Sequence, residues 1–382
     1  YSGWHMKLEY ASATSSTPTA TPTPTVTPPN QTDDNSTSLI LIVGVYGYLH
    51  KNYFFPFHVD EWFHVGQARS IISGFRVTGI EPWTGLPIAA NMMEYGWHHI
   101  LALWGWVTGN SLAGYMLLTP VMGIIAVIST YWFAKRWGKP AGLIAALFVA
   151  TLPANVTLGG MTMLLPMNLF FIFMPICLKI AFDFDRSWYP LLFGILFFLW
   201  LAHPPTAAVI AIVIGIYSLI CLKDNRTKGI FLLGANLLAF ALILPNTIYI
   251  LSHKLTEPLS FRFWVDVGGL PFLFGIAPTV LFLIGAYFVI EKMRKEELSM
   301  LTSTVFLIGM IIYYVNTGKT WLIPVNRIYL PVMAIMAIIA AFGFQELWKS
   351  KWMKDHLKVV LVALVLISAG INVYHNINTD YY

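Results

Sequence analysis

Long apolar runs separated by short polar joints fill most of the chain. Ten of them, at about residues 112–133, 140–157, 165–182, 189–203, 206–222, 229–251, 269–290, 298–315, 328–347 and 357–373, predict helices. Most approach the roughly 20 apolar residues that a helix needs to cross a bilayer. An earlier run, 38–49, is apolar over only about twelve residues and meets His50, Lys51 and Asn52 if extended. It predicts a short first span or a re-entrant piece. Between it and the ten long runs, the pattern predicts two shorter helices. One covers Asp60–Ser73, with Trp62, Phe63, Val65, Ile71 and Ile72 toward lipid, Gln67 and Arg69 toward water, and Gly74 as its stop. The other, Tyr95–Thr108, carries three tryptophans suited to interfacial depth.

Composition turns this pattern into a class. Hydrophobic residues make up 57% of the 382 and charged residues 11%, against roughly 25% charged in soluble domains. Mean hydropathy is +0.67. The expected fold is therefore an all-α integral membrane domain of about 10–11 transmembrane helices over residues 38–382. Its first external loop, about 56–111, holds the short helices. Residues 1–37 carry a Thr/Pro run, Thr17 to Pro29, that cannot build a core and predicts a disordered segment. Cys177 and Cys221 fall inside expected spans and suit apolar packing rather than a disulfide.

The net charge of +5 does not point to nucleic acid, because the basic residues lie in the joints. Fifteen Lys or Arg occupy alternate joints, and the opposite joints hold seven between residues 51 and 327. The positive-inside rule makes the richer side cytoplasmic. Asp60 and Glu61, the turn at 158–164 and the loops at 252–268 and 316–327 then share the external side. A prokaryotic plasma membrane, or an ER-type membrane with the site lumenal, fits this topology.

Candidate chemistry gathers there. In His58-Val-Asp60-Glu61-Trp-Phe-His64 two carboxylates stand between two histidines. On a helix beginning at Asp60, His64 lies at i+4 from Asp60 and i+3 from Glu61, so all three share a face. Such a set can hold a divalent cation through Asp60 and His64, or use a carboxylate as general base. The plainer reading is acidic residues answering a helix dipole. His98 and His99 suit phosphate or metal contacts, or an interface with wet tips. Arg327, in Pro324-Val-Asn-Arg327-Ile-Tyr-Leu-Pro331, opens a span where a guanidinium can clamp a phosphate or snorkel. His203, in Leu-Ala-His203-Pro-Pro, reads as a helix-break histidine satisfied by backbone. No glycine-rich nucleotide loop is present in a strand-to-helix context. An external enzyme without nucleotide needs an activated donor from the membrane.

These motifs, in this order, resemble the GT-C superfamily of membrane glycosyltransferases, which use polyprenyl-linked sugars. The segment 58–74 looks like that group's acidic first loop with its amphipathic helix. Gly96-Trp-His-His to Gly109 is similar to its next surface helix. The stretch from Pro120 through Lys135-Arg-Trp-Gly-Lys-Pro to Pro153 looks most like the oligosaccharyltransferase catalytic subunit, and the likeness covers about residues 56–347. It implies Asp60 and Glu61 as catalytic residues and Arg327, with His98 and His99, as contacts to the donor phosphate. A Mg2+ or Mn2+ ion is implied too, but where oligosaccharyltransferases carry a second acidic motif this chain reads Gly159-Gly-Met-Thr-Met-Leu-Leu-Pro166, without an acid. Their Trp-Trp-Asp-type acceptor motif is also missing. The broader expectation is transfer of a sugar or glycan from a polyprenyl phosphate or pyrophosphate to a protein, lipid or glycan acceptor. The alternatives are a lipid-linked sugar flippase and a catalytically inactive relative.

Overall fold

A computed structural model describes residues 44, 59–74, 94–153, 160–183, 185–254, 270–319 and 323–378. The Thr/Pro run, almost all of the first apolar run, His58, the loop at 75–93 and Arg262 lie outside the described residues. Among those described, the elements are helices: α1 (Val59–Ile72), α2 (Tyr95–Val107), α3 (Leu112–Ala134), α4 (Lys139–Ala150), α5 (Leu169–Phe182), α6 (Tyr189–Ala202), α7 (Pro204–Asp224), α8 (Arg226–Lys254), α9 (Leu270–Phe274), α10 (Ile276–Lys292), α11 (Lys295–Thr317), α12 (Tyr329–Lys349) and α13 (Asp355–Asn378). Nine of the ten expected spans each coincide with one of the helices from α3 on, and the span at 269–290 is divided between α9 and α10. Six segments are long and apolar enough to cross a membrane unaided: Leu112–Trp137, Pro204–Asp224, Arg226–Pro245, Lys295–Thr317, Val325–Lys349 and Asp355–Asn378. The helices at 139–150, 166–182 and 189–202 are apolar but shorter. The protein is an all-α integral membrane protein.

The core is built on α12, every residue of which is buried from Tyr329 through Gln345. Lipid tails are as apolar as isoleucine, so close packing rather than release from water holds such a helix in place. Small residues supply that closeness. A Cβ on Gly285 of α10 would stand 2.3 Å from the Ile339 carbonyl oxygen, and one on Gly343 of α12 would stand 2.4 Å from the Leu281 carbonyl oxygen. The two backbones touch at this crossing. Just before α10, Gly275 takes a φ of +98°, breaking what the pattern alone predicts as one continuous span. The freed carbonyl of Phe274 accepts from Asn372 Nδ2 of α13 at 3.2 Å.

One end of the bundle is tied by polar side chains of the basic joints. Trp137 Nε1 donates to Glu297 Oε1 at 2.6 Å, Lys349 Nζ donates to the Trp137 carbonyl at 3.2 Å, and Arg136 pairs with Asp183 at 3.0 Å. Lys295 also pairs with Asp224 there, and Lys292 with Glu346. The acidic first-loop residues and Arg327 meet at the other end, so the split of charge between alternate joints is also a split in space.

The short helix α1 corrects its expected orientation. Glu61, His64, Val65, Gln67 and Ala68 are buried while Arg69 is exposed. The stripe at 61, 64, 65 and 68 follows the i, i+3, i+4, i+7 spacing of one helix face. That face carries polar residues as well as apolar ones, because α1 packs on α2 with its chemistry inward. Val65 therefore faces protein rather than lipid, and Gln67 faces protein rather than water. The stop at Gly74 holds, with φ +79°.

The α10–α12 crossing makes a direct prediction. Gly285→Val forces backbone apart and should cost about 3 kcal/mol or more, lowering the melting temperature of the protein in detergent. Gly309→Val, whose Cβ meets nothing within 4 Å, should leave it unchanged.

Candidate active site

Two carboxylates at the start of α1 answer the positive end of its dipole, and from there their surroundings diverge. Glu61 turns inward and is 1% exposed. Its Oε1 accepts the backbone N–H of Leu164 at 2.6 Å. The segment 160–168 that supplies this donor is packed tightly, with Met163, Leu164 and Leu165 buried and Asn168 Nδ2 donating to the Met163 carbonyl at 2.6 Å. Asp60 turns outward. Its Oδ2 stands 3.8 Å from Arg327 Nη2, with the two side chains 41% and 25% exposed.

Arg327 ends a single 3-10 turn, Val325–Arg327, that leads into α12. Its Nη1 also lies 3.7 Å from the Met167 sulfur. An arginine bound bidentately by a carboxylate would show contacts near 2.7–2.9 Å. At 3.8 Å and part-exposed, the Asp60–Arg327 pair is worth about 0–1 kcal/mol.

The histidines divide. His98 is fully buried on α2 and its Nε2 lies 3.0 Å from His64 Nδ1. Phe63 meets His98 edge-on at 5.7 Å, and Trp97 meets His64 edge-on at 6.4 Å, so the imidazole pair sits among aromatic rings. Burial, with a smaller contribution from neighbouring His99, pushes the His98 pKa down to about 3. His99 is exposed instead, with Nδ1 2.8 Å from the Tyr95 carbonyl oxygen and its ring against Tyr95. Adjacent positions on a helix point about 100° apart, and only one of the two reaches the cluster.

Two further residues complete it. Glu94 stands just before α2 without capping it through its side chain, which turns instead to the site, with Oε2 3.6 Å from His64 Nε2 and Oε1 3.6 Å from His203 Nε2. His203 separates α6 from α7. It caps α7 as a helix-break histidine should, with Nδ1 2.7 Å from Thr206 Oγ1 and 3.3 Å from the Thr206 backbone N–H that it accepts. Its other nitrogen faces the site. Burial first, and then the charge of Arg327, holds the His203 pKa well below the usual histidine value, so its approach to Glu94 is between a neutral ring and a carboxylate. Gly96 makes this approach possible, since a Cβ there would lie 3.0 Å from the Ala202 backbone nitrogen. The first turn of α2 thus presses directly on the end of α6.

The structure therefore gathers Asp60, Glu61, His64, His98 and Arg327 at one end of the bundle, leaves His99 outside the cluster, and adds Glu94 and His203. His64, Glu94 and His98 each offer a ligand atom, all within 4.8 Å of one another, in an arrangement able to hold a metal ion. The expected metal pair is divided: His64 belongs to this group, whereas Asp60 stands on Arg327. Glu94 carried a readable signal, because Glu94 and His98 are spaced i, i+4 on one helical face.

The architecture matches solved membrane enzymes. The crystal structure of an oligosaccharyltransferase from Archaeoglobus fulgidus, in complex with Zn and sulfate, superposes with a TM-score of 0.61 over 90% of this chain at 14% identity. ArnT from Cupriavidus metallidurans, bound to undecaprenyl phosphate, superposes with a TM-score of 0.55 over 87% of this chain at 12% identity. The fold is the GT-C fold. No family model matches the sequence, and a search of curated proteins finds no match. The chain spans about half the length of the oligosaccharyltransferase, 53%, and 62% of the ArnT chain. Within the GT-C architecture, the acidic start of α1 and Arg327 meet across the same end of the bundle.

The buried carboxylate of Glu61 should act as a clamp on 160–168. Glu61→Ala leaves the Leu164 N–H without its acceptor, a loss of about 1–3 kcal/mol, and should speed hydrogen exchange across that segment. Glu61→Gln, which keeps an acceptor oxygen, should retain most of the protection.

Proposed function

We propose that this protein is a membrane glycosyltransferase that moves a sugar or glycan from a polyprenyl phosphate or pyrophosphate to an acceptor on the external face. The observation that carries the reading is the Asp60–Arg327 pair: a part-exposed carboxylate and a part-exposed guanidinium at one end of a GT-C bundle. Two solved structures of this fold fit the chemistry, ArnT with undecaprenyl phosphate bound and the oligosaccharyltransferase tethered to an acceptor peptide. A guanidinium stays charged and forks onto two oxygens, which suits the donor phosphate. As the phosphate takes Arg327, it loosens the Asp60–Arg327 contact and leaves a carboxylate next to the reacting centre. Asp60 then accepts the proton of the acceptor group as that group attacks the anomeric carbon, and the lipid phosphate departs with the electrons of the broken bond. Arg327 stabilises the charge that grows on the leaving phosphate. Glu61 assists without touching substrate, by fixing the segment 160–168 beneath the pair. His98 serves as a buried support rather than as an exposed phosphate contact. The excess of Lys and Arg at the opposite end supports a site outside or lumenal, in a prokaryotic plasma membrane or an ER-type membrane.

The test is to reconstitute the protein in lipid with polyprenyl phosphate and pyrophosphate sugars and a crude acceptor pool, and to follow the released carrier by mass spectrometry. Release is expected for the wild type, and Asp60→Asn should lower it by at least ~100-fold. Arg327→Lys keeps the charge but loses the fork, and should raise the KM for donor about tenfold with a smaller effect on kcat. Absence of release across both donor classes would remove the enzymatic reading. Release that survives Asp60→Asn would remove Asp60 from its role.

A further inference from the structure

We infer that His64, Glu94 and His98 bind one zinc-class divalent cation, distinct from a Mg2+ or Mn2+ ion on Asp60, and that this ion pins α1, α2 and the α6–α7 junction together. The inference rests on the geometry of this chain and not on the glycosyl-transfer reading.

The acidic residues themselves argue against a hard-cation site. Such ions take six or more oxygen ligands. Glu61 spends one oxygen on the Leu164 N–H, Asp60 stands on a guanidinium, and the segment 160–168 packed below them has no acid. Two imidazoles and a carboxylate form a different donor set, one that suits borderline ions of the zinc kind. The three donors lie within 4.8 Å of one another, so a side-chain adjustment of about 1 Å brings them to the roughly 3.3–3.6 Å spacing of a tetrahedral site with ligands about 2.0–2.2 Å from the ion. The two rings already stand nitrogen to nitrogen at 3.0 Å, a spacing two ligands of one ion can share. His98 Nδ1 is buried with no hydrogen-bond partner, so the ring's polar capacity is not exhausted by the protein around it.

The ligands come from separate elements, and this gives the ion its consequence. His64 lies one turn beyond Asp60 on α1, and Glu94 and His98 lie on the first turns of α2. The second oxygen of Glu94 reaches toward His203, whose ring is locked by Thr206. His203 is thus an outer partner that orients a ligand. An ion here fixes the start of α1 against the bundle, and with it the position of Asp60.

The full chain, purified in detergent and stripped with chelator, should take up one Zn2+ per chain by calorimetry and by elemental analysis after dialysis. Co2+ in its place should give the visible bands of a four- or five-coordinate ion. Zn2+ should raise the melting temperature of the wild type. His98→Ala and Glu94→Gln should abolish stoichiometric binding, and His203→Ala should weaken it about 10–100-fold. Asp60→Asn should bind as the wild type does. Since His98→Ala removes buried volume, Glu94→Gln, which keeps its shape, guards against a folding defect: it should melt like the stripped wild type and gain nothing from Zn2+. No stoichiometric Zn2+, or Zn2+ retained by Glu94→Gln and His98→Ala, would overturn the site. So would Mn2+ or Mg2+ binding lost only in Asp60→Asn. None of these measurements uses a sugar donor, so their failure leaves the glycosyl-transfer reading standing, and the reverse also holds.

Discussion

A carboxylate placed beside a bilayer and shut away from water must be answered by the protein, and Glu61 shows how this chain does it. One of its oxygens accepts a backbone amide from a segment about a hundred residues away. An amide donor neutralises nothing but gives a fixed direction, so α1 is tied in angle as well as in place. The guanidinium of Arg327 stands instead by Asp60, on the outer side. Had Arg327 paired with Glu61 instead, the charge would be buried and spent, since separating a buried pair costs several kcal/mol. The different environments of two adjacent acids sort one into architecture and the other into chemistry.

The packing of α12 serves the same end. Arg327 enters the site from a tight turn at the head of the most enclosed helix. Its backbone is set by glycine crossings that hold α10 and α12 in backbone contact. A guanidinium on such a base moves little, and the flexible part of the pair is confined to its side chain. The interlocked polar joints at the opposite end, where Trp137 meets both Glu297 and Lys349, hold the other ends of the same helices.

The membrane helices were legible in the sequence because hydrophobic length alone marks them. The break at Gly275 was hidden because its flanks are as apolar as any span, and only the positive φ reveals it. The orientation of α1 failed for a physical reason: the polar residues at 61, 64 and 67 face inward, so sorting by hydrophobicity reversed Val65 and Gln67. Of the site, Asp60, Glu61, His64, His98 and Arg327 stood out as charge or imidazole beside apolar runs, and the structure brings them to one end. Glu94 was passed over because it stands at the edge of a loop, and its i, i+4 spacing to His98 counts only once α2 is known to start there. Its place is fixed only by the press of α2 on α6 at Gly96. His203 was legible as a cap, and its second face toward Glu94 depends on a contact spanning more than a hundred residues.

The chain order adds a consequence of the enclosed position of α12. This helix follows eleven others in the order of the described helices, yet it fills the middle of the bundle among helices made before it. The earlier helices must therefore wait in the membrane with a gap between them until α12 arrives and closes it. Arg327 is carried in at its head. Until then Asp60 stands without that guanidinium, and the two halves of the candidate site meet only when the core is sealed.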